Sequence, residues 1–141
     1  MYDAPSIRNA HELSDIVSIL LTYFDGLYKA DSHVLRSVFH PRAIYVSAAS
    51  GELIYRNMEE YFAIVDQRIS PEVRGEMRLD RIRSIDLIGP QTAFATANCA
   101  IGESKFTDIL NLVRLDGRWW IIAKLFHVDP LQGSSSQTRA I

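Results

Sequence analysis

Cysteine is nearly absent from this chain: Cys99 is the only one among 141 residues. No intrachain disulfide and no cysteine-rich metal site can form, which fits a reducing compartment. Its setting, Ala95–Ile101, is small and apolar and offers no base, so Cys99 reads as core rather than as a nucleophile. No apolar run approaches the ~18 residues that a membrane span needs. The N-terminus lacks the basic region and apolar stretch of a secretion signal. A cytoplasmic protein without membrane contact is therefore expected. Neither charge is in excess, the formal net charge being −2, so no polyanion-binding surface and no nucleic-acid partner are expected. The arginines at 68, 74, 78, 81 and 83 are interleaved with Glu72, Glu76, Asp80 and Asp86, the pattern of a solvated strand face. His11, His33, His40 and His127 lack metal-ligand spacing. No metal and no cofactor are expected.

What is present is an ordinary globular balance, 48% hydrophobic and 23% charged, long enough for one domain with a real core. Residues 1–8 carry a proline and no periodicity and read as a loose arm. Residues 9–131 form the domain. The Ser/Gln/Thr-rich segment 132–141 reads as a disordered tail. Asn9 with Glu12 fits a capping box. Leu13, Ile16, Val17, Leu20, Phe24, Leu27 and Tyr28 then recur at helical spacing, predicting an amphipathic helix over Ala10–Lys29. Asp31 caps a short second helix with Val34, Leu35, Val38 and Phe39, stopped by Pro41. Ala43–Ser47 and Glu52–Tyr55 alternate as a small hairpin. Asn57 with Glu60 opens a third helix bearing Met58, Tyr61, Phe62 and Val65. Period two then takes over in Met77–Leu87, with a bulge between Leu79 and Ile82, and continues in Thr92–Ala100. Early helices followed by a late antiparallel meander indicate an α+β fold.

The last segment, Phe106–His127, is the most informative. Asp116-Gly117 is a strong type I′ turn signal. It pairs Leu115 with Arg118, and simple alternation then pairs Asp108 with Leu125 and Phe106 with His127. In that register Asp108 and His127 share a face as diagonal neighbours, roughly 6–8 Å apart at Cβ. Both faces of the hairpin are apolar, so both need cover. The helices suit one; a second copy of the chain suits the other, so a homodimer packed through the sheet is expected. A carboxylate buried in a strand must be bonded, paired or protonated. Asp108 is therefore either a structural group satisfied by backbone amides or a lysine, or a pocket base or anchor.

Tyr23, Gly26 and Asp31, then Phe39-His40-Pro41-x-Ala43, Phe106-x-Asp108, Leu115-x-Gly117-x-Trp119 and Lys124-x-Phe126-His127 together resemble the nuclear transport factor 2-like superfamily, the cystatin-like α+β cone, and within it the lumazine-binding group. The resemblance covers Glu12–Val128. It implies a curved antiparallel sheet wrapped around the long N-terminal helix, with a pocket between its concave face and the helices. The implied lining is Tyr23, Leu27, His40, Tyr45, Tyr55, Phe62, Asp108, Trp119 and His127. Where many relatives have tyrosine after the strand aspartate, this chain has Ile109. Fold alone constrains function weakly. The expected function is binding of a small, flat organic ligand in an apolar pocket. The alternatives are an acid–base isomerase, cyclase or dehydratase using Asp108 or His127, and a dimeric interaction module. Ketosteroid isomerase, of this superfamily, works with an aspartate base beside a protonated aspartate; only one such interior carboxylate is evident here.

Overall fold

The computed structural model describes residues 4–130, with side chains from residue 9 onward. The expected tail, 132–141, lies outside the described residues. Three helices and six strands follow in the order α1 (Ala4–Lys29), α2 (Ser32–Arg36), β1 (Phe39–Ser47), β2 (Ile54–Asn57), α3 (Met58–Asp66), β3 (Arg81–Gly89), β4 (Thr92–Ile101), β5 (Ser104–Leu115) and β6 (Arg118–Pro130). The helix α1 begins at Ala4, ahead of the expected Asn9 cap. Pro5 falls in its first turn, where the missing amide hydrogen is no loss. Asn9 is thus interior to α1, and Glu12 is free for another partner. The cap of α3 is as expected: Asn57 accepts from the Glu60 amide and Glu60 reaches back to the Asn57 amide, both at 2.9 Å. Asp31 caps α2 through the amides of His33 and Val34. That helix stops at Arg36, so Val38, Phe39 and Pro41 do not extend it.

Phe39 starts β1, and Pro41 sits where the pairing of β1 with β6 skips from Phe39 to Ile44. A proline has no amide hydrogen to give a ladder, so it is at home in such a gap. The six strands form one sheet, ordered β2-β1-β6-β5-β4-β3. All neighbours are antiparallel except β1 and β6, which run parallel. The sheet is therefore mixed where a purely antiparallel one was expected. After β2, α3 and the β3–β5 meander, the last strand returns to lie alongside β1 of the early hairpin. On the other edge, β3 starts at Arg81 and leaves Met77 and Leu79 outside the sheet and exposed. Its irregularities lie between Ile82 and Ser84 and between Leu87 and Gly89 rather than before Ile82.

The concave face and the helices enclose the core. Ile16, Leu20, Tyr23, Phe24 and Leu27 come from α1, Tyr61, Phe62 and Val65 from α3, and Phe106, Leu110, Leu112 and Ile121 from the sheet. Each such side chain contributes about 1.5–3 kcal/mol by leaving water. The Asp116-Gly117 turn is as read, both residues having positive φ, and it sets Leu115 opposite Arg118 and Leu112 opposite Ile121. The next pairing, however, is Asn111 with Ala123. Ile122 is an extra residue, a β-bulge, and beyond it the parity of β6 inverts. Lys124, Phe126 and Val128 now face inward and are buried, while Leu125 and His127 face out. Asp108 pairs with Phe126, and His127 pairs with Thr107.

Gly26 marks the tightest approach of α1 to α2. A Cβ there would lie 2.5 Å from Leu35 Cδ2 and 2.7 Å from its Cγ. Leu35 is itself fully buried, so it has little room to move. Gly26→Ala is expected to destabilise the protein by about 1–3 kcal/mol, despite alanine's better helix propensity. Urea titration of both proteins checks this; an unchanged or raised midpoint refutes it.

Candidate functional site

Asp108 on β5 is completely buried. Its Oδ2 accepts a 2.5 Å hydrogen bond from the Tyr23 hydroxyl of α1. Cys99 of β4 places Sγ 4.0 Å from the same oxygen. The other oxygen, Oδ1, has no hydrogen-bond partner among the described residues. Burial pushes the Asp108 carboxyl above its ordinary range; Lys124 and the Tyr23 hydrogen bond oppose this without reversing it. Tyr23 is held far from ionising, first by its own burial and then by the nearby carboxylate.

Lys124 enters the same interior from β6 and is 1% exposed. Its Nζ donates to the Tyr61 hydroxyl at 3.3 Å. It also lies 5.2 Å from the ring centroids of Tyr23 and Tyr61 and 5.7 Å from those of Tyr45 and Phe126. This is an aromatic cage for a cation. Tyr45 and Tyr61 stack at 4.7 Å, and the Tyr45 hydroxyl has no partner among the described residues. Burial pushes the Tyr45 phenol up to about 12.

Of the residues singled out in the sequence, the structure brings Asp108, Tyr23 and Tyr45 together. Leu27 and Phe62 belong to the same core, and Phe39 links Phe62 to Tyr23 and Tyr61 by edge-on ring contacts of 5.8–6.1 Å. Trp119 is buried, but it donates from Nε1 to Glu12 Oε1 at 2.7 Å. Glu12 lies about 16 Å along α1 from Tyr23, at 1.5 Å per residue. Its other oxygen is 3.3 Å from Arg114 Nε, so Trp119 belongs to a separate structural pair at the far end of the helix.

Three further expected residues, besides Trp119, are not in the site. His127 is 67% exposed and bonds Asp129 at 3.0 Å, because the Ile122 bulge turns it outward. Tyr55 is 64% exposed, on the edge strand β2. His40 alternates outward from the buried Phe39, accepts from the Arg42 amide, and meets Trp120 edge-on at 5.5 Å. Lys124 and Tyr61 were missed as site residues. Lys124 shares the motif that carried His127, but unbroken alternation puts it on the opposite face. Among the described residues, no group of three or more His, Cys, Asp or Glu side chains could hold a metal ion. No helix among them is long and apolar enough to cross a membrane.

The clefts lined by described residues include one of 610 Å³ beside Arg81, Asn98, Cys99, Lys105 and Asp129 and one of 420 Å³ between α1 and the start of β6, beside Trp119. Neither includes Asp108 or Lys124 in its lining.

Residues 11–127 match the family described as "Putative lumazine-binding". The chain belongs to this family. The aldolase FrzH of Cladobotryum sp is 26% identical to this chain over 121 residues, covering 84% of this chain and 93% of that protein. A crystal structure of an NTF2-like protein of unknown function from Shewanella baltica OS155 is 28% identical with a TM-score of 0.77, covering 86% of this chain and 96% of that one. A ketosteroid isomerase-like protein from Erwinia carotovora atroseptica SCRI1043 is similar at a TM-score of 0.65 and 11% identity, covering 83% and 95% of the two chains. The lumazine-binding family member described here thus has the NTF2-like cone fold.

The raised Asp108 pKa has a sign that can be measured. The folded state holds this proton more tightly than the unfolded chain, so its stabilising effect is full below the ordinary carboxylate pKa and is lost as pH rises through the folded value. Asp108→Asn removes the ionisation. The melting temperature of the variant minus that of the wild type is therefore expected to increase from pH 3 to neutrality, each pKa unit being worth about 1.4 kcal/mol. A difference that stays flat or falls with pH overturns the assignment.

Proposed function

We propose that this protein is an acid–base enzyme acting on a small, largely apolar carbonyl compound, with Asp108 as the base that removes a proton from the carbon next to the carbonyl. The observation that carries this reading is the unpartnered Oδ1 of a fully buried carboxylate. A structural aspartate would have that oxygen bonded, because an unmade hydrogen bond in the interior costs about 1–3 kcal/mol. A base needs it free, and an apolar setting raises its proton affinity toward the useful range. Tyr23 fixes the other oxygen and so aims the free one. The aldolase relative favours carbon–carbon bond making or breaking through an enolate over simple isomerisation.

The burial of Asp108 and Lys124 also favours a second reading, a protein that encloses a flat ligand without changing it. Incubation with a panel of cyclic ketones in deuterated water separates the two. The enzyme is expected to exchange α-hydrogens, read by proton NMR, and Asp108→Asn to slow exchange by at least ~100-fold. Binding without exchange in the wild type would leave the enclosing role.

The outward sheet face carries Ile44, Val46, Ile109, Val113, Trp120, Ile122 and Leu125, half-buried or exposed. An apolar face of this breadth is best covered by a second copy, and we take the protein to be a cytoplasmic homodimer packed through it. Sedimentation at micromolar concentration is expected to give a dimer, and Ile109→Lys with Leu125→Lys a monomer. A wild-type monomer excludes this arrangement.

A further inference from the structure

The Ile122 bulge has a chemical as well as a geometric result. Without it, alternation from the Asp-Gly turn would send Lys124 into the outward face, the ordinary place for a lysine. With it, an ammonium is delivered to the interior that holds Asp108. Lys124 has no carboxylate oxygen within 4.0 Å among the described residues, and its one hydrogen bond, to Tyr61, is long. An ammonium carries three donors. Beside it the Tyr45 hydroxyl is buried and unpartnered. The interior therefore offers unused donors on Lys124 and Tyr45 and an unused acceptor on Asp108 Oδ1. Tyr23 joins the two sides, its hydroxyl bonded to Asp108 and its ring 5.2 Å from Lys124 Nζ.

We propose that Lys124 is a catalytic residue, the cation that receives the carbonyl oxygen as it becomes an enolate, with the Tyr45 hydroxyl as the second donor. The proposal rests on the reading of Asp108 as base. When Asp108 takes the α-proton, the C–H bond breaks and its electron pair becomes the enolate double bond. The carbonyl π pair moves to oxygen, where Lys124 and Tyr45 hold the charge. In an aldol-type step the enolate carbon then bonds to a second carbonyl carbon, and that carbonyl's oxygen takes the proton from Asp108. No external reductant or oxidant is needed. Fixed donors aimed at developing charge in a dry site supply most of the stabilisation such steps need. The substrate class follows: an uncharged carbonyl compound that presents its oxygen to Lys124 and Tyr45 and its α-carbon to Asp108.

The alternative use of a buried lysine is as an imine-forming nucleophile, which requires the neutral amine. The cage works against that. Burial disfavours the Lys124 cation, while the nearby Asp108 carboxylate and the ring faces of Tyr23, Tyr45, Tyr61 and Phe126 around Nζ favour it. A caged ammonium is suited to bind an oxyanion and unsuited to attack a carbonyl.

The test uses 4-nitrophenol, a planar enolate mimic whose phenolate absorbs visibly. The wild type is expected to bind it as the phenolate near neutral pH. Lys124→Met, which fills the same space without charge, is expected to weaken phenolate binding at least ~10-fold, and Tyr45→Phe by ~3-fold or more. Melting temperature is read in parallel: removal of a buried, poorly bonded cation is expected to leave it level or raised. Equal phenolate binding by wild type and Lys124→Met overturns the proposal, as does absence of binding to the wild type. A lowered melting temperature with phenolate binding retained makes Lys124 structural. Borohydride treatment with cyclohexanone is expected to leave the protein mass unchanged; a reduced adduct on Lys124 overturns the oxyanion role in favour of an imine. None of these readouts needs turnover, so failure of Asp108 as base, seen as exchange surviving in Asp108→Asn, is recognised separately.

Discussion

The bulge at Ile122 is the constraint on which the interior depends. A strand has only two faces, and one extra residue exchanges them for everything that follows. Up to Ile121 the inward positions of β6 are Trp119 and Ile121; after the bulge they are Lys124, Phe126 and Val128. The same residue count that buries a lysine expels a histidine. The gap in β1 between Phe39 and Ile44 lies against this part of β6, so both strands are irregular at the place where the sheet joins its parallel pair.

What the bulge admits is an expensive arrangement. Charges inside an apolar core lose solvation that attraction between them rarely restores in full. Here Asp108 and Lys124 are not in direct contact. Tyr23 stands between them, binding the carboxylate through its hydroxyl and presenting its ring to the ammonium. Tyr45, Tyr61 and Phe126 complete the cage from β1, α3 and β6. An interior built only for stability would fill this space with leucine and phenylalanine. Unused donors on one side and an unused acceptor on the other form a polarity that a carbonyl compound matches.

Membership of the lumazine-binding family and the cone fold do not by themselves say what the interior does. The discriminating features are local. The Glu12–Trp119–Arg114 cluster near the other end of α1 is as buried in its indole and as well bonded, yet it leaves no carboxylate oxygen free for chemistry. In the Asp108 cluster it is a carboxylate oxygen that lacks a partner among the described residues; in the other it is Arg114 Nε, which still lies 3.3 Å from Glu12.

The α+β class, the caps at Asp31 and Asn57, the Asp-Gly turn and the inward face of β5 were all legible in the sequence, because each rests on local chemistry. A cap needs a side chain three residues from its amide, a turn needs positive φ, and a strand needs period two. Asp108 was legible as a candidate for the same reason, while Tyr23 entered only through the family resemblance. The Ile122 bulge was not: with apolar residues on both faces of β6, alternation carries no mark of the position at which it slips. The parallel pairing of β1 with β6 and the early start of α1 were equally hidden, since neither is set by a residue's near neighbours. The chain by itself determined which polar groups it contains and the strands that carry them. Only the tertiary structure decided that Lys124, and not His127, faces Asp108, because the parity of a strand is fixed by its partners across the sheet and not by its own sequence.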